Sequence, residues 1–143
     1  MTPGRLDKPA PRCMLVRVKA KEHENGYAAM AKLHKVLSHP ARLRILELLA
    51  QCGEACVCHL VAALGRRQPY VSQQLAVLRD ANLIAERRDG TLVYYRLADE
   101  QVMELVAASR RWARARHGER AQFPPVEEGP LPGCSCPSCS TKG

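Results

Sequence analysis

The stretch RRQPYVSQQLAVLRDANLI, residues 66–84, decides how the middle of this chain folds. Val71, Leu75 and Leu78 recur at helical spacing and line one face. Pro69 stands near the helix start, where the N–H it lacks would have no intrahelical partner. The other face is polar. Gln68, Tyr70, Ser72, Gln73 and Gln74 lie on or near the leading end, flanked by Arg66, Arg67 and Arg79. Such a helix suits the major groove of DNA, which it enters with its N-terminal side chains first. Glutamine matches adenine edges, Ser and Tyr hydroxyls meet bases or phosphates, and arginines hold the flanking backbone. A solvated polar helix would carry the same residues, so the neighbouring segments decide.

Downstream, IAERRDGTLVYYRL (84–97) alternates, is rich in β-formers and turns at Asp89-Gly90, a strong hairpin signal. Arg87, Arg88 and Arg96 decorate this predicted two-stranded wing, within reach of phosphates or the minor groove. Upstream, a short helix over about 55–64 closes at Gly65, which allows a tight turn. Before it, YAAMAKLHKVL (27–37) places Tyr27, Met30, Ala31 and Leu37 roughly on one helical face, and Ser38-His39-Pro40 stops that helix. Pro40 fits the first turn of PARLRILELLAQ, whose stripe is Ile45, Leu48 and Leu49 and which Gly53 ends. After the hairpin, DEQVMELVAASRRWARARH (99–117) returns to helical spacing with Val102, Leu105, Val106 and Ser109 on one stripe. Asp99 and Glu100 at its start and arginines at its end match the helix dipole.

The order is three helices, a recognition-like helix, a hairpin and a last helix: a mainly α winged helix-turn-helix with a β-hairpin. Residues 1–25 read as a flexible, Pro-interrupted basic arm, 26–118 as the DNA-binding and dimerisation domain, and 119–143 as a disordered tail rich in Pro, Gly and Cys. The 143 residues suit one compact domain with flexible ends. Net charge is +8, and its distribution matters more than its total. From Arg66 to Arg96 six arginines face only Asp80, Glu86 and Asp89, and a second block follows at Arg110, Arg111, Arg114, Arg116 and Arg120. Such blocks suit a polyanion such as double-stranded DNA, a solvated basic face being the alternative.

No apolar run reaches membrane-spanning length and no signal-peptide core is present, so a cytoplasmic protein with reduced thiols and no membrane partner is expected. Seven cysteines, an odd number, then point to metal or reactive-thiol chemistry rather than a disulfide frame. No Ser-His-Asp grouping, phosphate loop or pair of catalytic carboxylates is evident, so no enzyme is expected.

Taken together, LSHPARLRILELLA (37–50), CVCHL (56–60), RRQPYVSQQLAVLRDANLI and RRDGTLVYYRL (87–97) resemble the ArsR/SmtB family of dimeric metalloregulatory repressors over about residues 27–113. The resemblance implies a homodimer joined through the first and last helices, about 27–37 and 99–116. It implies a repressor held on a near-palindromic operator until an inducer releases it. The family's thiol sensors carry ELCVCDL where this chain has EACVCHL; Cys56 and Cys58 match the pair, while Ala55 and His59 depart from it. On a regular helix two such side chains point about 200° apart, so one ion reaches both only if the first turn distorts.

Two thiolates rarely suffice. As(III) and Pb(II) favour a three-sulfur pyramid, and Cd(II) and Zn(II) favour four ligands. The position three beyond Cys58, cysteine in some arsenic sensors, is Val61. Relatives that recruit an N-terminal cysteine make Cys13 the expected third ligand, with His23 and His59 as extras. Cys52 reads as a buried helix-end residue. The family's last-helix zinc site is not expected: Asp99 is present, but Gln101 replaces a histidine, Trp112 stands near the second, and His117 reads as a solvated helix end. The inducer expected is a thiophilic ion, As(III) ahead of Cd(II), Pb(II), Sb(III) or Zn(II). Cys134, Cys136 and Cys139 in CSCPSC form either an auxiliary metal-capturing tail or functionally silent thiols. A thiol-redox-sensing repressor of the same fold is the nearest alternative function, and a thiol oxidoreductase a distant one.

Overall fold

A computed structural model describes residues 20–126 and 129–140. Helix α1 (Ala20–Leu37) is followed by α2 (Pro40–Cys52), strand β1 (Glu54–Cys56), α3 (Val57–Leu64) and α4 (Gln68–Asp80). Strands β2 (Ile84–Asp89) and β3 (Leu92–Leu97) form the wing, α5 (Val102–His117) returns across the domain, and α6 (Pro137–Ser140) is a single turn near the C-terminus. Helix α1 starts inside the segment expected to be a mobile arm, because after Pro11 no proline interrupts the Lys- and Glu-rich run.

Local chemistry explains the boundaries. His39 caps α2, its Nδ1 accepting from the Ala41 N–H at 3.2 Å, and Pro40 takes the first helical position. Gly53 (φ 74°) ends α2, and its N–H donates to the Leu49 carbonyl. Gly65 adopts the left-handed conformation (φ 59°, ψ 34°) that turns the chain from α3 into α4. Asn82 (φ 58°) does the same after α4, where the Leu83 N–H reaches back to the Leu78 carbonyl at 3.0 Å.

The sequence predicts a two-stranded wing; the sheet has three strands, in the order β1-β3-β2, all antiparallel. Asp89 pairs with Leu92, so Gly90 and Thr91 are the turn's central residues, with positive φ (60°) at Gly90. The third strand is the start of the expected helix over 55–64. Glu54, Ala55 and Cys56 pair with Arg96, Tyr95 and Tyr94, and the helix begins only at Val57. Residues 54–56 find partners on the open edge of β3, which a one-dimensional pattern cannot supply.

The core is one cluster of Ile45, Leu46, Leu48 and Leu49 from α2, Leu60 from α3, and Val71, Leu75 and Leu78 from α4, closed by Ile84, Tyr95, Val102 and Val106. Val102 and Val106 are thus spent inside the protomer. Among the described residues, the large apolar side chains left exposed, Tyr27 and Met30 on α1 and Trp112 on α5, lie on the first and last long helices.

The described part of the segment expected to be disordered is laid on the domain instead. Arg44 donates to the carbonyls of Pro124 and Pro125 at 2.6 and 2.7 Å, and Phe123 lies under the Arg110 guanidinium at 4.1 Å. Leu131, Cys136 and Cys139 are buried. A proline-rich chain makes no ladder of its own, yet its carbonyls remain free acceptors for a fixed cation. Among the described residues no helix is long and apolar enough to cross a membrane.

Candidate metal centre and DNA-reading face

Cys56 is not helical. It is the last residue of β1 and the N-cap of α3, with extended backbone (φ −77°, ψ 161°), and its Sγ accepts from the His59 N–H at 3.3 Å. Cys58 lies in the first turn. The strand-to-helix break swings the two side chains to one side, and their Sγ atoms are 2.6 Å apart. The opposition expected of two positions on a regular helix therefore does not arise.

The C-terminal segment brings further sulfurs to the same place. Cys134 Sγ lies 3.2 Å from Cys58 Sγ, 3.8 Å from Cys56 Sγ and 3.4 Å from Cys136 Sγ. All four sulfurs fall within 4.8 Å of one another, and His59, Cys134 and Cys139 form a second group meeting the same limit. Tyr94 covers the cluster, with Arg87 over its ring at 4.7 Å. His59 Nδ1 is 3.4 Å from Cys139 Sγ; its Nε2 is buried without a hydrogen-bond partner among the described residues.

Burial drives the electrostatics. It pushes the Cys56 thiol up to about 12, with the Cys58 hydrogen bond adding to the effect, and raises Cys134 as well. Burial also acts upward on Cys136, but hydrogen bonds from Cys134 and Cys56 outweigh it and bring that thiol down to about 7. The His59 imidazole is lowered by burial and is neutral at pH 7, as a ligand must be. Several soft donors thus converge at a site whose innermost sulfurs, Cys56 and Cys136, are buried.

Cys13, the expected third ligand, lies outside the described residues, as does the side chain of His23. The tail cysteines, expected as an auxiliary site or as silent thiols, converge on the Cys56–Cys58 pair. Two Cys-x-Cys steps, 56–58 and 134–136, were the available signal. Cys52 is exposed rather than buried, on the rim of a cleft of about 210 Å³ beside Cys56 and Cys139. Asp99 is used locally, accepting from the Gln101 N–H at 2.9 Å.

On the DNA side, Arg66, Arg67, Gln68, Ser72, Gln73 and Arg79 are exposed at or on α4, and Tyr70 is half-buried with Arg66 over its ring at 5.8 Å. Gln74 departs from expectation. It is 7% exposed, faces the core beside Leu75, and its Oε1 has no hydrogen-bond partner among the described residues. At a spacing of 100° per residue, Gln73 and Gln74 fall on opposite sides of the buried boundary. Gln73→Ala should alter which operator bases are preferred. Gln74→Leu should leave operator affinity unchanged and stability within about 1 kcal/mol, since it removes a buried unsatisfied group. Competition binding against operators altered base by base, beside urea unfolding, reads both; a base-preference change in Gln74→Leu would contradict the assignment.

Arg88 and Arg96 are exposed on the wing. Arg79 is bound to Glu86 at 3.2 Å. Arg87 is tied down by Glu54 of β1, at 2.5 and 3.2 Å, a partner the sequence reading missed. That hydrogen-bonded guanidinium also holds the Glu54 carboxyl below the usual carboxylate range. The sulfur cluster is thereby joined to α4 and to the wing in two ways. Through α3 and Gly65 it leads into α4, and through the β1–β3 ladder and the Glu54–Arg87 pair it leads into the wing.

A family profile for bacterial regulatory proteins of the arsR family matches residues 39–86. The arsenic resistance transcriptional regulator ArsR1 of Pseudomonas putida is 36% identical over 124 residues, 78% of this chain and 97% of the relative. Among solved structures, the homodimeric winged helix-turn-helix DNA-binding domain of a possible ArsR-family transcriptional regulator from Mycobacterium bovis aligns with a TM-score of 0.59 and 33% identity, over 78% of this chain and 100% of that one. The AntR antimony-specific transcriptional repressor aligns with a TM-score of 0.58 and 29% identity, over 78% of this chain and 96% of that one. The order of elements, the polar face of α4 and these likenesses agree: the chain belongs to the ArsR family, and it is a winged helix-turn-helix transcriptional regulator, not an enzyme.

Proposed function

We propose that the protein is a homodimeric repressor that leaves its operator when a thiophilic ion, As(III) first among them, binds Cys56, Cys58 and Cys134. The observation that carries this reading is the sulfur triangle of those residues, with sides of 2.6, 3.2 and 3.8 Å, at the junction of β1 and α3. As(III) takes three sulfurs at the base of a pyramid and needs no fourth ligand. Cys134 fills within one protomer the role expected of Cys13. The relatives named for arsenic resistance and for antimony support the same ion class.

The coupling runs through the capping sulfur. An ion drawing on Cys56 Sγ competes with the His59 N–H it now caps, so the first turn of α3 must readjust, with α4 one turn away. The dimer forms through Met30 and Trp112 on α1 and α5, supported by the homodimeric relative. Arg66, Arg67, Arg88 and Arg96 grip phosphates, while Gln68, Ser72 and Gln73 meet base edges.

The test is a titration of reduced, operator-bound protein with As(III), Sb(III), Cd(II), Pb(II) and Zn(II) under anaerobic conditions. Release by As(III) at stoichiometric concentration is expected, with Cys134→Ser impaired at least tenfold and Cys13→Ser unimpaired. No release by any of the ions, with release by a disulfide oxidant instead, would replace this reading with the thiol-redox repressor. Impairment of Cys13→Ser alone would return the third ligand to the N-terminal arm.

A further inference from the structure

We infer that Cys136 completes a four-thiolate site with Cys56, Cys58 and Cys134, one that holds a soft divalent cation such as Cd(II) within a single protomer, and that Cys136 decides between four-coordinate and three-coordinate ions. This rests on the reading above, that Cys56 and Cys58 take the inducer, and extends it to a second class of ion.

The geometry is the first argument. A tetrahedral zinc–thiolate site, with bonds of about 2.3 Å, has sulfurs about 3.8 Å apart, and the larger Cd(II) needs them somewhat farther apart. Here successive sulfurs lie at 2.6, 3.2 and 3.4 Å, Cys56 to Cys134 at 3.8 Å, and none of the four is more than 4.8 Å from another. The set is compact enough to close on one ion once its shorter gaps open. Two Cys-x-Cys steps 78 residues apart supply it, and the second is held by the Cys134 N–H donating to the Leu131 carbonyl at 3.1 Å.

Burial is the second argument. Cys56 and Cys136 are each 2% exposed, so an ion between them is cut off from water and must be satisfied by protein ligands. Four thiolates do this for a tetrahedral divalent cation. For As(III) the fourth sulfur is surplus, because the lone pair occupies the apex of the pyramid. The competing group of His59, Cys134 and Cys139 contains only two sulfurs and shares Cys134, so it cannot be filled independently. A four-thiolate site around a divalent ion carries two net negative charges, and Arg87, already paired with Glu54, stacks on the Tyr94 ring at 4.7 Å beside the cluster.

Reduced full-length protein is titrated with Cd(II), and X-ray absorption counts the sulfur neighbours. The wild type should bind one Cd(II) per protomer through four sulfurs. Cys136→Ser should show three sulfurs and an affinity at least tenfold weaker, yet be released from operator by As(III) as the wild type is. Three sulfurs in the wild type would overturn the inference without needing any variant to fold. Four sulfurs retained in Cys136→Ser would overturn it too, giving the fourth place to Cys13 or Cys139. Equal loss of the As(III) and Cd(II) responses in Cys136→Ser would overturn the discrimination. Failure of the underlying reading looks different: Cys56→Ser would then still be released by As(III).

Discussion

Cys56→Ser and Cys58→Ser should each hold their operator at As(III) concentrations that fully release the wild type, with unchanged affinity when the ion is absent. The large effect follows from ligand number: with one sulfur gone, the three-sulfur pyramid cannot close. A hundredfold preference of the ion for the DNA-free state corresponds to about 2.7 kcal/mol of coupling, and this is what each variant should lose. Operator binding should survive for a structural reason. Cys56 is the N-cap of α3, and serine is among the best residues there, so the His59 N–H keeps its acceptor. Fluorescence anisotropy of labelled operator, with and without As(III), reads both quantities. Full release of Cys56→Ser at the wild-type concentration would move the sensing site elsewhere.

Replacing Arg66, Arg67 and Arg88 together with Ala should weaken operator and random DNA alike by several orders of magnitude and flatten the salt dependence. Each phosphate contact contributes about 0.9 to the slope of log K against log salt. Six arginines removed from a dimer therefore make that slope shallower by up to about five. The three are chosen because they are exposed at the start of α4 and on the wing, outside the ion pairs that occupy Arg79 and Arg87. Arg87→Ala alone should act differently, by freeing β1 from the wing, with a smaller change in salt slope. An unaltered slope in the triple variant would show that these arginines do not face the phosphates.

The winged helix-turn-helix was legible because its signals are local. Pro40 fixes φ at its own position, Gly53, Gly65 and Gly90 admit positive φ at theirs, and the structure has a boundary at every one. The periodicity of Val71, Leu75 and Leu78 set the buried face of α4. It misjudged only Gln74, since a polar side chain at the edge of an apolar stripe does not itself announce which side it takes.

The cysteine cluster was legible only in composition. Seven cysteines and the Cys56–Cys58 pair announce soft-ion chemistry, and the chain order alone places that pair just ahead of the recognition helix. That the pair points one way depends on residues 54–56 adding to the edge of β3, a contact across about forty positions. That Cys134 and Cys136 join it depends on Arg44, Arg110 and Leu131 laying a proline-rich segment across α2 and α5. Sequence by itself determined the main helices and the turns, because backbone preference and hydrophobic period act over a few residues. Which sulfurs meet was decided only in the tertiary structure, because side chains far apart in the chain are neighbours only through packing that local preference does not encode.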